Sequence, residues 1–274
     1  MSIINVEKNK FEVILSSVIE EIPGTKISRE KFLRTELSKH FDSETVEKAI
    51  NSTPAQAGIS VNDLEHIAKS CINNETVGVT TKSVIAGIPG KFAMLATIPA
   101  DILQFFVHVL RVAQKLAYLY SWPELFTEQD EGFDDETLNQ LTLFVGVMFG
   151  VNVANVTLTK VAGLMALRAE KVLPRQALTK GVIYPVVKRI AKSIGVRMNK
   201  QLFSSGVSKT IPIVGGVTSG LLTYTGFKPM AKRLQKHLSA LSISDVELCQ
   251  ICTSDEPREI IDVDFQDVSI DYVD

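Results

Sequence analysis

The stretch Pro99–Tyr120, PADILQFFVHVLRVAQKLAYLY, decides how the rest of the chain is read. Ile102, Leu103, Phe105, Phe106, Val107, Val109, Leu110, Val112, Ala113, Leu116 and Ala117 recur at nearly every helical phase. The spacing predicts one helix of roughly 33 Å, greasy almost all round. Pro99 suits a first helical position, where a missing N–H costs nothing, and Pro123 predicts the end. The polar residues are not scattered. Asp101, Gln104, His108, Arg111 and Lys115 follow steps of 3, 4, 3 and 4 and share about 80° of the helix surface. A charged seam this narrow on a buried helix has to meet other polar groups, water or a ligand.

A chain of 274 residues can bury a sizeable core, and its mean hydropathy is slightly positive at +0.16. The formal net charge is only −2. That total hides an asymmetry: residues 160–236 hold many Lys and Arg against one acid, Glu170, whereas residues 255–274 hold eight acids against Arg258. The N-terminus MSIINVEKNKFEV lacks a basic-then-apolar signal pattern, so secretion is not expected. Cys71, Cys249 and Cys252 do not make a disulfide framework and fit a reducing compartment.

Working outward from the central stretch, the N-terminal side predicts short amphipathic helices. One covers Phe11–Ile19 ahead of Pro23-Gly24. A second, over 28–40, is capped by Ser28, and Ser43 caps a third. A fourth, over 60–73, turns Leu64, Ile67, Ala68 and Cys71 inward. His40 and His66 lie on charged helices with no metal-ligand spacing and read as surface residues. Gly87-Ile-Pro-Gly90-Lys91 resembles a phosphate loop, but Phe92 follows the lysine and the upstream glycine spacing fails. Close helix packing through small residues is the better reading there.

On the C-terminal side, no charged residue occurs from Thr137 to Thr159 or from Thr210 to Phe227. The first run is long enough for a bilayer, yet Asn139, Gln140, Asn152 and Asn155 dilute it, and Gly146-xxx-Gly150 suits close approach of two helices. Core burial and membrane insertion both fit. Between and beyond these runs lie basic ends: Lys188, Arg189 and Lys192 on a helix expected to start at Pro185 and end at Gly195, and Lys228, Lys232 and Arg233 on a last helix opened by Pro229. Long basic side chains beside apolar helices suit anionic lipid headgroups. Nucleic acid fits poorly, because no aromatic platform is interleaved with the cations. Cys249-Gln-Ile-Cys252 is half a zinc site without a second pair; His237 and Cys71 are the remaining candidates to complete it, and no metal and no cofactor are expected. The tail DEPREIIDVDFQDVSIDYVD is too acidic to fold alone; it can fold back on the basic block or dock a partner.

Several of these segments occur as a set that resembles the EcsC family of bacterial proteins: PADILQFFVHVLRVAQKLAYLYSWPEL, the upstream AGIPGKFAMLATIPAD, LTLFVGVMFGVN, ALTKGVIYPVVKRIAK and SKTIPIVGGVTSGLLTYTGFKPMAKRL, together about residues 45–240. The family is known by association with an ABC-transporter operon. The resemblance implies a helical, membrane-associated protein with an accessory or regulatory role. It supplies no catalytic residues and does not extend to the acidic tail.

The expected fold is all-α, a single large helical domain with a Gly-rich apolar core or membrane-inserting helices. Residues 1–75 form a small helical N-terminal extension, 76–240 an EcsC-like helical core, and 241–274 a short helix and a disordered acidic tail. The expected function is non-enzymatic, at the cytoplasmic face of the cell membrane, with Lys188, Arg189, Lys192, Lys228, Lys232 and Arg233 holding anionic headgroups. The alternative is a soluble enzyme or small-ligand binder using Asp101, His108 and Arg111. Asp101 and His108 lie about 10 Å apart along the axis and cannot touch on a straight helix. A third reading is an interaction module that docks a protein partner through its tail. A buried network in which Asp101 neutralises a Lys or Arg explains the seam with the fewest assumptions.

Overall fold

The computed structural model of the chain describes residues 10–81, 100–126, 135–167, 184–204 and 217–244. Regular structure among them is entirely helical: α1 Lys10–Glu21, α2 Arg29–Leu37, α3 Ser43–Asn51, α4 Val61–Thr81, α5 Ala100–Leu119, α6 Asp135–Met148, α7 Asn152–Leu167, α8 Tyr184–Ser204 and α9 Val217–Ser239, followed by a 3₁₀ turn at Ser242–Ser244.

Local chemistry sets the boundaries. The Ser28 hydroxyl caps α2 by accepting from the Lys31 N–H, and the Asp42 carboxylate, one residue ahead of the expected Ser43, caps α3. Ser60 and Asp63 cap α4 reciprocally. Helix α4 does not stop near Asn73 but runs to Thr81, extending its inward face by two turns. Two helices end in Schellman motifs. At the end of α5 the Trp122 N–H reaches the Ala117 carbonyl (2.9 Å) and Ser121 takes a φ of 68°, so the stop falls before Pro123. At the end of α6 the Val151 N–H reaches the Gly146 carbonyl (2.9 Å) and Gly150 takes a φ of 72°. The charge-free run 137–159 is therefore two helices joined by a tight turn. Two other expected breaks are absent. Helix α8 passes straight through Gly195, and Pro229 sits inside α9, where it removes one backbone donor instead of opening a helix.

Helix α5 is the central element. It packs against α4, α9, α6, α1 and α2, while α6 packs against α7, α8 and α9. One hydrophobic cluster runs through all nine described helices, from Phe11 and Leu15 of α1 to Phe227 and Leu234 of α9. Among the described residues no helix is long and apolar enough to cross a membrane. Two buried polar side chains fasten α5 to the N-terminal segments. Gln114 accepts from the Ile27 N–H (2.8 Å) and donates to the Thr25 and Leu110 carbonyls (2.9 Å each). Arg29 donates to the carbonyls of Ala49, Ile50 and Ser52 at the end of α3, and to that of Trp122.

Candidate functional site

The seam on α5 closes on a residue of α4. Glu75 is 5% exposed, and its two oxygens receive three side chains of the seam. Nδ1 of His108 lies 2.7 Å from Oε2, Nζ of Lys115 lies 2.6 Å from Oε1, and Nε of Arg111 is shared between them at 3.2 and 3.3 Å. The periodicity that spaces His108, Arg111 and Lys115 by one turn each is what lets all three converge on one carboxylate. A fourth seam residue, Gln104, donates to the Val79 carbonyl (3.1 Å), near the C-terminal end of α4. Arg111 also donates to the Gly24 carbonyl, in the turn after α1. The cluster thus ties α5, α4 and the α1–α2 connection together.

The electrostatics follow from that crowding. Burial alone would push the Glu75 carboxyl up. The His108 hydrogen bond and the charges of Lys115 and Arg111 outweigh burial and bring it down to about 2. Such a carboxylate is a poor proton acceptor at neutral pH. Two basic side chains face one carboxylate, and that of Arg111 keeps contact with solvent, 27% exposed. The His108 ring is seated against Gly78: a Cβ there would come within 2.6 Å of its Cε1. His108 Nε2 is buried and has no hydrogen-bond partner.

No protein-family model, no curated protein and no solved structure matches this chain. The site therefore stands on its own residues. Of the three seam candidates, His108 and Arg111 meet on Glu75. Asp101 lies in the first turn of α5, and its side chain falls outside the described residues. Among the described residues the counter-charge to the seam is Glu75 of α4, which is not among the candidates expected from the sequence. Its signal was present: Glu75 continues the inward series Leu64, Ile67, Ala68, Cys71 by one step of four.

The cations singled out for headgroups lie on α8 and α9. Along α8, Pro185, Arg189, Lys192 and Val196 face outward, while Val186, Val187, Ile190, Ala191 and Ile194 are buried. Lys188 is half-buried, its Nζ 4.9 Å from the centre of the Tyr184 ring. Along α9, Lys232 and Lys236 are exposed and Lys228 is half-buried. Arg233 donates to the Met148 carbonyl (2.6 Å) and so caps the end of α6. Among the described residues no group of three His, Cys, Asp or Glu is placed to hold a metal ion. Burial pushes the Cys71 thiol up to about 12, which leaves it unreactive. Cys249 and Cys252 lie outside the described residues.

Proposed function

We propose that this chain is a surface-bound membrane protein that holds anionic lipid headgroups with the outward cations of α8 and α9. One contrast carries the reading. In the N-terminal helices, acids are interspersed with the exposed cations and pair with several of them, Arg34 with Glu30 and Glu47, Lys39 with Glu36, Lys69 with Glu65, while Lys31 and Lys48 are exposed without an ion pair among the described residues. Helices α8 and α9 contain no Asp or Glu at all, and Arg189, Lys192 and Lys232 stand in solvent. Matched surface pairs contribute little to stability, whereas an unmatched cation near an anionic bilayer gains about 1 kcal/mol. Val196, 49% exposed on the same stripe as Arg189 and Lys192, adds an apolar contact suited to the interface. The segments that resemble EcsC proteins include those that build α8 and α9, and the membrane association implied by that resemblance agrees. The same proposal puts the chain at the cytoplasmic face of a bacterial membrane, in an accessory role.

Sedimentation with vesicles tests it. Binding is expected to vesicles containing phosphatidylglycerol, not to pure phosphatidylcholine, and to fall as salt rises. Replacing Arg189, Lys192 and Lys232 together by Gln should weaken it by roughly two orders of magnitude. Equal failure to bind both kinds of vesicle removes the proposal.

A second reading has one observation in its favour. His108 is oriented by a carboxylate through Nδ1 and keeps an unpartnered buried Nε2, the arrangement of a general base. On that reading Asp101→Asn and His108→Ala abolish a ligand-binding or catalytic activity without lowering thermal stability. A large stability loss in His108→Ala would instead mark the seam as a clamp between helices.

A further inference from the structure

We infer that the acidic C-terminal segment of this chain, residues 255–274, docks on the outward cationic stripe of α9 and competes there with anionic lipid. The competition rests on the lipid-binding reading above; the docking does not. Along α9, Gly226, Pro229, Lys232, Arg233 and Lys236 face outward, and Phe227, Met230, Ala231, Leu234 and Leu238 are buried. With Arg233 turned to the Met148 carbonyl, Lys232 and Lys236, one turn apart, form the free part of the stripe. Neither is in an ion pair with any described residue.

The occupant is identified by charge and by reach. The last twenty residues carry eight acids against Arg258, and from Asp262 onward the acids are interleaved with Val263, Phe265, Val268, Ile270 and Tyr272. Residues 171–244 contain no Asp or Glu; past α9 come the isolated Asp245 and Glu247, and residues 255–274 are the first dense run of acids on that side. The connection starts from a fixed point. Ser244 is buried, and its hydroxyl lies 3.1 Å from the Tyr120 carbonyl and 2.9 Å from that of Leu238. From Ser244 to Asp255 an extended chain spans up to about 36 Å, and Lys232 and Lys236 lie only about 6 Å apart along the helix axis. The segment lies outside the described residues; its tether alone places it near α9 at a local concentration on the order of millimolar. Exposed ion pairs are individually weak, so the docked state holds by number and tethering, and a densely anionic surface displaces it. The consequence is a chain whose lipid affinity is held down by its own C-terminal segment.

Zero-length carbodiimide cross-linking of the full chain, at low salt and without lipid, tests the docking. The expected products join Lys232 or Lys236 to carboxylates within residues 255–274, with the Lys69–Glu65 pair, 3.2 Å apart, as internal control. A full-length variant carrying Asp262→Asn, Asp264→Asn, Asp267→Asn and Asp271→Asn should lose these products. It should also bind phosphatidylglycerol vesicles about fivefold more tightly or better. Control cross-links without the Lys232 or Lys236 products overturn the docking. Equal vesicle affinity of the two forms overturns the competition. Cross-links present with neither form binding vesicles would support the docking and overturn the lipid reading.

Discussion

At Glu75, three donors share two oxygens in a buried place, and the carboxylate cannot be removed without leaving charge stranded. Glu75→Gln keeps the shape but leaves Arg111 and Lys115 uncompensated. A loss of about 3–5 kcal/mol is expected in denaturant unfolding. Acid should erode the same interaction. The carboxyl titrates at about 2 in the folded chain against an ordinary value of 4.5, so its contribution is complete above about pH 5 and fades as pH falls through 4.5 toward 2. That displacement corresponds to about 3 kcal/mol, and the wild-type chain should lose it over this interval while Glu75→Gln does not. Gly78 makes a sharper test. Gly78→Ala drives a methyl into the His108 ring and should cost about 1–3 kcal/mol. In a His108→Ala background the same change should become stabilising by up to about 1 kcal/mol, the ordinary helix preference for Ala over Gly. The seam itself was legible, because charges on an otherwise apolar helix are conspicuous. Its partner was harder to see, because Glu75 follows Asn73 and Asn74, two polar residues that interrupt the apolar spacing of α4.

Among the elements, Gly146 decides how closely three helices approach. A Cβ there would lie 2.7 Å from both Ala154 Cβ on α7 and Ile190 Cγ2 on α8. Gly146→Ala should lower stability by about 1–3 kcal/mol, and Ala154→Gly should recover part of that loss in thermal unfolding. The sequence pairs Gly146 with Gly150 in one motif, but the two serve different ends: Gly146 admits neighbours, and Gly150 supplies the left-handed residue that ends α6. Helix identity was plain wherever apolar spacing ran long. Helix ends were not, because they depend on competition. Ser121 adopts a glycine-like φ because its hydroxyl is held by the Ala55 N–H at 3.1 Å, a contact made 66 residues away. Pro229 stays inside α9 between Phe227 and the buried Met230 and Ala231, where packing outweighs one lost backbone bond.

For the whole molecule, a single hydrophobic cluster joins α1–α4 to the rest, so residues 10–81 share their core with α5 and α9. Cooperative unfolding is expected as one transition, and helix content and aromatic packing should be lost together on heating. Two separate transitions would show that the N-terminal helices are stabilised independently. The all-α character of the described residues was evident from the 3.6-residue periodicity. The unequal distribution of charge was equally evident. What periodicity could not convey was which cations are engaged: Lys232 and Arg233 are neighbours in sequence and both exposed, yet only Arg233 caps another helix.

Trp122 is the only tryptophan in the chain. It is wholly buried, with its indole N–H given to Gln140 (2.9 Å) and its ring edge-on to Phe144, 5.1 Å between centres. Ultraviolet emission excited at the red edge therefore originates from one place, the corner where α5 turns toward α6. Its colour should stay blue while that corner is dry and move red when water enters, giving a dye-free optical gauge of the central helix during lipid titration.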